Sequence, residues 1–236
     1  PGVCLMRSVE RIIVALDLAS QEEVLATLDK LPGVEFVKVG MELFYSTGPN
    51  LIHLLKDRGL KVFLDLKVHD IPNTAAGAMG SLSRLGCDLL NLHCSGGLEM
   101  MKRAQEAVVG HTKLIGVTQL TSTNQQIMNE QLGIPGTVED SVLNYAQLAK
   151  QADLAGVVCS PLEVRAIKAT CGPEFLAVTP GVRPAGADRQ DQKRTMTPRE
   201  ALEAGSDYLV IGRPILADSD PHGAFCRILE EIEVVA

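Results

Sequence analysis

Eight times along the chain, a short apolar run gives way to a segment with helical periodicity, and this alternation limits the available folds. The runs are Arg11 to Asp17, Phe36 to Gly40, Lys61 to Lys67, Asp88 to His93, Lys113 to Thr118, Gly156 to Cys159, Phe175 to Thr179 and Asp207 to Gly212. Most are apolar at consecutive positions, as in parallel strands buried on both faces. Eight strand–helix units in 236 residues, without a break in composition, predict one α/β domain, a closed (β/α)8 TIM barrel. The runner-up is an open doubly wound sheet. It would need a GxGxxG turn after the first strand, where Asp17-Leu-Ala-Ser20 stands instead. The barrel domain is expected over 11–236. Residues 1–10 read as an N-terminal extension, with Met6 a natural start and the residues before it foreign to the protein.

Helix signals fall between the strands. Ser20 and Glu23 form a capping box ahead of Val24, Leu28 and Leu31. A helix over 49–58 ends at Gly59. Asn73 or Thr74 is expected to cap a helix running to Leu85. Further helices are predicted through Val108, over 138–151, from Pro161, over 198–204 and up to about Ile232.

The formal charge of −7, with 3% aromatics and no Trp, argues against a nucleic-acid partner. No apolar run is long enough to span a bilayer. Six cysteines are scattered without a CxxC pair, the pattern of free thiols in a reduced cytoplasm.

The chemistry concentrates in Lys61 to Thr74. Strand alternation puts Phe63, Asp65 and Lys67 on one face, and Asp70 follows in the turn before Pro72. Charges on an inward face must be paired. They form either a structural ion pair or an active site whose lysine stays protonated between carboxylates. In a barrel the C-terminal strand ends form the site. Asp17, Lys38, Asp65, Lys67, His93, Thr121, Arg183 and Arg213 all fall at or near such ends. The Ile211-Gly-Arg-Pro214 turn after the last strand suits a phosphate, with Gly212 permitting close approach and Arg213 supplying a forked donor. His93 reads as structural support, and His69 as a packing or hydrogen-bonding residue.

The run Asp65-Leu-Lys-Val-His-Asp-Ile-Pro-Asn-Thr74 resembles the signature of the orotidine 5′-phosphate decarboxylases. The likeness extends to Ala15-Leu-Asp17, Val37-Lys-Val-Gly40, Leu120-Thr-Ser122, Val178-Thr-Pro-Gly-Val-Arg183, Asp191-Gln192 and Val210-Ile-Gly-Arg213, and is strongest with the bacterial branch. It implies decarboxylation of orotidine 5′-monophosphate to UMP, the last step of de novo UMP synthesis, without metal or organic cofactor. It further implies a charged network of Lys38, Asp65, Lys67 and Asp70, with Lys67 as proton donor. Asp17 and Lys38 would hold the ribose hydroxyls, and Thr121, or its neighbour Ser122, would meet the pyrimidine. Arg183, Gln192, Gly212 and Arg213 would receive the phosphate side, under a loop from Arg183 to Arg194. A homodimer is implied, in which Asp70, Ile71 and Thr74 complete the partner's site.

Three rivals share features of this pattern. A metal-dependent 3-keto-sugar-phosphate decarboxylase or hexulose-phosphate synthase has a similar Asp-x-Lys-x-x-Asp core, but an acid at the position of Lys38. A Schiff-base aldolase would need Lys67 neutral, against the effect of flanking carboxylates. A non-catalytic phosphate-binding barrel would have little use for the full charged set.

Overall fold

The structure, a computed structural model, describes residues 7–184 and 196–233. Eight parallel strands close on themselves in sequence order. They are β1 (Ile12–Ala15), β2 (Phe36–Gly40), β3 (Lys61–Val68), β4 (Leu89–His93), β5 (Lys113–Val117), β6 (Gly156–Val158), β7 (Leu176–Pro180) and β8 (Tyr208–Ile211). The barrel expected from the alternating runs is present, and the open sheet is excluded by the β1–β8 pairing, Ile12 with Leu209 to Val14 with Ile211. The strands are apolar throughout because both faces are covered. Ile13, Phe36, Phe63, Leu89, Ile115, Val178 and Val210 fill the barrel, while a larger outer core joins the strands to the helices.

The helices are α1 (Gln21–Asp29), α2 (Met41–Thr47), α3 (Asn50–Asp57), α4 (Pro72–Ser83), α5 (Gly97–Ala107), α6 (Val138–Gln151), α7 (Val164–Cys171), α8 (Pro198–Glu203), α9 (Arg213–Leu216) and α10 (Pro221–Glu233). Several match the sequence reading closely, α6 at both ends. There Thr137 accepts from the Asp140 amide and Asp140 reaches back to Thr137. Two local expectations are corrected. Helix α4 starts at Pro72, so neither Asn73 nor Thr74 caps it; Ile71 stands at the cap without a side-chain bond. Proline at the first position has its φ preset and no amide to satisfy, so the helix begins two residues earlier. At α1, Ser20 accepts from the Glu23 amide, but Glu23 reaches the Ala19 amide rather than that of Ser20. Helix α2, which follows β2 without a spacer, was not foreseen.

At the base of the barrel two aspartates repeat one arrangement. Asp88 accepts from Lys56 Nζ at 2.7 Å and from the Val62 amide at 2.8 Å, clasping α3 to the start of β3. Asp207 accepts from Lys168 Nζ and from the Ala177 amide, both at 2.7 Å, clasping α7 to β7. Ser8–Arg11 form a 3-10 turn that meets β1, β8 and α10. None of the helices described is long and apolar enough to cross a membrane.

Candidate active site

The mouth of the barrel carries a row of alternating charges. Asp17 lies just beyond β1, Lys38 in β2, and Asp65 and Lys67 in β3. Lys38 Nζ stands 3.4 Å from Asp17 Oδ1 and 3.3 Å from Asp65 Oδ2. Lys67 Nζ stands 2.6 Å from Asp65 Oδ1. Asp65 is thus held between two ammonium groups, one on each oxygen. Gly40 makes room for this, since a Cβ there would come within 3.1 Å of Lys38 Nζ.

Asp65 is only 8% exposed. Burial alone would raise its pKa, but Lys38, Lys67 and a hydrogen bond from Asn91 outweigh burial and hold the carboxyl below its usual range. It is therefore an anion wherever the protein is folded at neutral pH. The His93 imidazole moves below its ordinary value through burial and the neighbouring His69 and Lys67. The two rings lie 5.7 Å apart, centroid to centroid, a packing arrangement consistent with the supporting role expected of both.

Lys67 departs from plain strand geometry. Its φ is +50°, a left-handed conformation that costs a side-chain-bearing residue roughly 1–2 kcal/mol. The β3–β4 register shifts between Leu64 and Val68, so the lysine sits on a bulge. Its amide, displaced from the strand ladder, is taken by Asn91 Oδ1 at 2.8 Å. The alternation read from the sequence is interrupted here, yet the ammonium still enters the mouth beside Asp65. Asn91 was not singled out from the sequence. The available signal was a lone amide inside the apolar run Leu89-Leu-Asn-Leu92.

A cavity of about 280 Å³ opens above these groups. Asp17, Lys38, Asp65, Lys67, Thr121, Arg183, Gly212 and Arg213 all line it, together with Phe63, Gln119 and Cys159, which were not expected. Thr121 rather than Ser122 is on the wall. A second hollow of about 210 Å³, toward α2, shares Asp17, Lys38, Asp65 and Lys67. Gly212 is closely packed: a Cβ there would meet Asp17 Oδ2 at 3.1 Å and Ala15 Cβ at 3.2 Å, so these neighbours would have to give way slightly. The cavity therefore has anionic and cationic groups at its floor and two guanidinium groups toward β7 and β8, where barrels commonly take phosphate.

The remaining residues lie apart. Asp70 is exposed and accepts from the Ile71 amide at 2.7 Å; among the described residues it makes no ion pair with Lys67. Among the described residues of one chain, the carboxylate that pairs with the lysine is therefore that of Asp65. Ile71 is 67% exposed and Thr74 is exposed, and neither lines the cavity. Gln192 and most of the loop from Arg183 to Arg194 lie outside the described residues. Among the described residues no group of three His, Cys, Asp or Glu side chains could hold a metal ion. Cys87, Cys94, Cys159, Cys171 and Cys226 are free thiols, the first four buried. Burial pushes the Cys94 thiol up to about 12 and raises Cys159 well above its ordinary value, so neither is a ready nucleophile.

Comparison with known proteins agrees with this geometry. The model of the "Orotidine 5'-phosphate decarboxylase / HUMPS family" matches residues 10–228. An orotidine 5'-phosphate decarboxylase of Streptococcus gordonii is 50% identical over 224 residues, covering 94% of this chain and 97% of the relative. That of Staphylococcus saprophyticus is 50% identical over 221 residues, covering 92% and 96%. The crystal structure of orotidine 5'-phosphate decarboxylase from Lactobacillus acidophilus superposes with a TM-score of 0.84 at 41% identity, covering 94% of this chain and 98% of that one. With the barrel, the charged row and a match over most of its length, this chain belongs to the orotidine 5'-phosphate decarboxylase / HUMPS family.

Proposed function

We propose that the chain is an orotidine 5′-phosphate decarboxylase, a carboxy-lyase that converts orotidine 5′-monophosphate to UMP and CO2 at the end of UMP biosynthesis. The observation that carries the reading is the unbroken row Asp17–Lys38–Asp65–Lys67 in the same cavity as Arg183 and Arg213. The bond from C6 of the pyrimidine to the carboxylate breaks, CO2 leaves, and the electron pair remains on C6. Lys67 stabilises that charge and gives C6 a proton. Asp65 fixes Lys67 and, with Lys38, keeps the row charged. Asp17 and Lys38 hold the ribose hydroxyls, and Thr121 meets the pyrimidine. Arg183, Gln192, Gly212 and Arg213 take the phosphate side. The reaction needs no metal or organic cofactor.

The exposed turn of Asp70 supports a dimeric site. A carboxylate and an apolar side chain presented outward at the mouth, with Thr74 one helical turn on, suit contact with a second copy's cavity. Met41 and Tyr45, 44% and 70% exposed on α2, add apolar surface next to the neighbouring strand's end. The protein is accordingly a cytoplasmic homodimer of one barrel domain, residues 11–236, preceded by a short extension. Incubation with orotidine 5′-monophosphate in excess EDTA, followed by loss of the orotate absorbance, tests the activity. Turnover that survives the chelator is the expected result; turnover that appears only when divalent metal is restored would overturn the cofactor-free reading.

A further inference from the structure

We propose that Asn91 is a positioning residue for Lys67, setting both ends of the lysine from beneath the active site. The inference rests on the decarboxylase reading above and adds to it a residue outside the cavity wall. Asn91 is 1% exposed, on the inner side of β4. Its Oδ1 accepts from the Lys67 amide at 2.8 Å, and its Nδ2 donates to Asp65 Oδ1 at 2.7 Å. The same Asp65 oxygen receives Lys67 Nζ at 2.6 Å. These contacts close a ring: Asn91 to the lysine backbone, along the lysine side chain, to Asp65, and back to Asn91.

A primary amide supplies what this position needs at every pH. The backbone N–H requires an acceptor and the carboxylate requires a donor, so the two ends of the amide cannot be exchanged. The ring has two consequences. It gives the Lys67 amide an acceptor at the β3 bulge, and so allows Lys67 its left-handed φ of +50°. It also holds the Asp65 carboxylate in the plane that meets Lys67. Without it the bulge relaxes toward regular strand, and the ammonium swings away from the reacting carbon. A displacement of about 1 Å can cost roughly a hundredfold in rate.

Two substitutions separate positioning from mere support. Asn91→Leu keeps the branching and the number of side-chain heavy atoms, with somewhat more bulk, and removes both hydrogen bonds. Asn91→Asp keeps the acceptor for the Lys67 amide but sets an oxygen against Asp65. The titratable groups around this position are Asp65 and Lys67 on β3, Lys38 on β2 beyond Asp65, and His93 on β4 beside His69. On β5 the residue in register is Ile115, which does not titrate. Two adjacent carboxylates share a proton more readily than either alone, and the shared proton replaces the missing amide donor. Activity of Asn91→Asp relative to the parent should therefore rise as pH falls.

The expected result for Asn91→Leu is a loss of kcat of about a hundredfold with KM for orotidine 5′-monophosphate within about threefold of the parent. For Asn91→Asp it is a similar loss at high pH that narrows toward low pH. Unchanged kcat in folded Asn91→Leu, or a loss in Asn91→Asp that is the same at every pH, would overturn the proposal. If Asn91→Leu does not fold, Asn91→Asp decides alone. Hydrogen exchange at the Lys67 amide is read in parallel and does not depend on catalysis. Exchange should be slow in the parent and fast in Asn91→Leu; slow exchange in both would remove the anchoring role. A parent that anchors this amide but does not turn over the nucleotide would instead refute the proposed function.

Discussion

Lys67 Nζ lies 2.6 Å from Oδ1 of Asp65, two residues earlier on the same strand, while the other oxygen of that carboxylate faces Lys38. The three groups are only partly exposed, with side-chain accessibilities of 25% for Lys67, 11% for Asp65 and 12% for Lys38. One anion therefore keeps two cations close to each other in a region poor in water. Removing its charge leaves both ammonium groups against a neutral amide, Lys67 without its carboxylate and Lys38 with Asp17 as its remaining partner among the described residues. Asp65→Asn should lower kcat by about 10²–10³, comparable to removing one preorganised stabilising group. Steady-state kinetics on folded protein check this. A variant within a few-fold of the parent would mean that the carboxylate does not organise the site.

Lys67 cannot supply the whole acceleration. An ammonium about 4 Å from a developing anion is worth roughly 4 kcal/mol at an effective dielectric near 20. Enzymes lower barriers by about 8–23 kcal/mol. The remainder must come from the rest of the row, from phosphate binding and from exclusion of water. In the proposed reaction, however, Lys67 is the group that gives C6 its proton. Lys67→Ala should abolish turnover while UMP affinity, measured by calorimetry, stays within about tenfold of the parent, because product carries no charge at C6 for the ammonium to meet.

The pKa of Asp65 also predicts how stability depends on pH. Its folded value lies below its unfolded one, so the folded state gains from ionised Asp65 at any pH above the unfolded value, about 3.9. That gain is lost as pH falls through the depressed folded value. His93 acts in the same direction in a higher window. Its folded pKa is lowered, so the unfolded chain takes up the proton first, and stability declines as pH falls below about 6.5. Urea midpoints for the parent and His93→Gln should converge as pH is lowered through that window. Curves that stay parallel would show that the ring is not held neutral by the fold.

Much of the fold was legible because parallel strands covered on both faces leave continuous apolar runs, and eight such runs in this length leave few topologies. The charged row was legible for a related reason: Lys38 among valines and Asp65 between leucines are costly unless paired. Three features were not. Helix α2 begins directly at the end of β2, and Met41 and Tyr45 are exposed on it, so its pattern does not separate apolar from polar positions. The left-handed Lys67 depends on a register shift against β4, a relation between strands that local spacing does not encode. The direction of Asp70 is likewise not set by spacing: it stands three residues from Lys67, and within this chain its carboxylate accepts from the Ile71 amide, a contact that leaves its expected place in a partner's site open. Gly212 was read as permitting ligand approach; it lines the cavity, and the structure adds close packing against Asp17 and Ala15.

The paired clasps at the base give a stability prediction separate from catalysis. Asp207 ties Lys168 of α7 to the first residues of β7, and Lys168 also donates to the carbonyls of Pro173 and Phe175. Asp207→Ala leaves the Ala177 amide without its acceptor and the partly buried Lys168 ammonium with carbonyl partners but no counter-charge. It should cost about 1.5–3 kcal/mol, read as a lower urea midpoint with an unchanged slope. Asp207→Asn keeps an acceptor for the Ala177 amide and should lose less. Neither should alter KM, since the clasp lies at the opposite end of the barrel from the cavity.

Phosphate recognition is separable from the chemistry by comparing two substrates. Arg213 opens α9 directly after Gly212, and with Arg183 it lines the side of the cavity formed by β7 and β8. Neither guanidinium belongs to the Asp17–Lys38–Asp65–Lys67 row. If they act by holding a phosphate dianion, their binding energy reaches the pyrimidine only through the substrate's own covalent frame. Arg213→Ala should then reduce kcat/KM for orotidine 5′-monophosphate by about 10²-fold or more, the loss of a charge-assisted, forked contact. The phosphate-free nucleoside orotidine, a far slower substrate, should be turned over equally by parent and variant. Added inorganic phosphite should accelerate the parent's reaction with the nucleoside and act less on Arg213→Ala. Equal losses on nucleotide and nucleoside would place Arg213 in the catalytic row's support instead, and would leave the phosphate to Arg183.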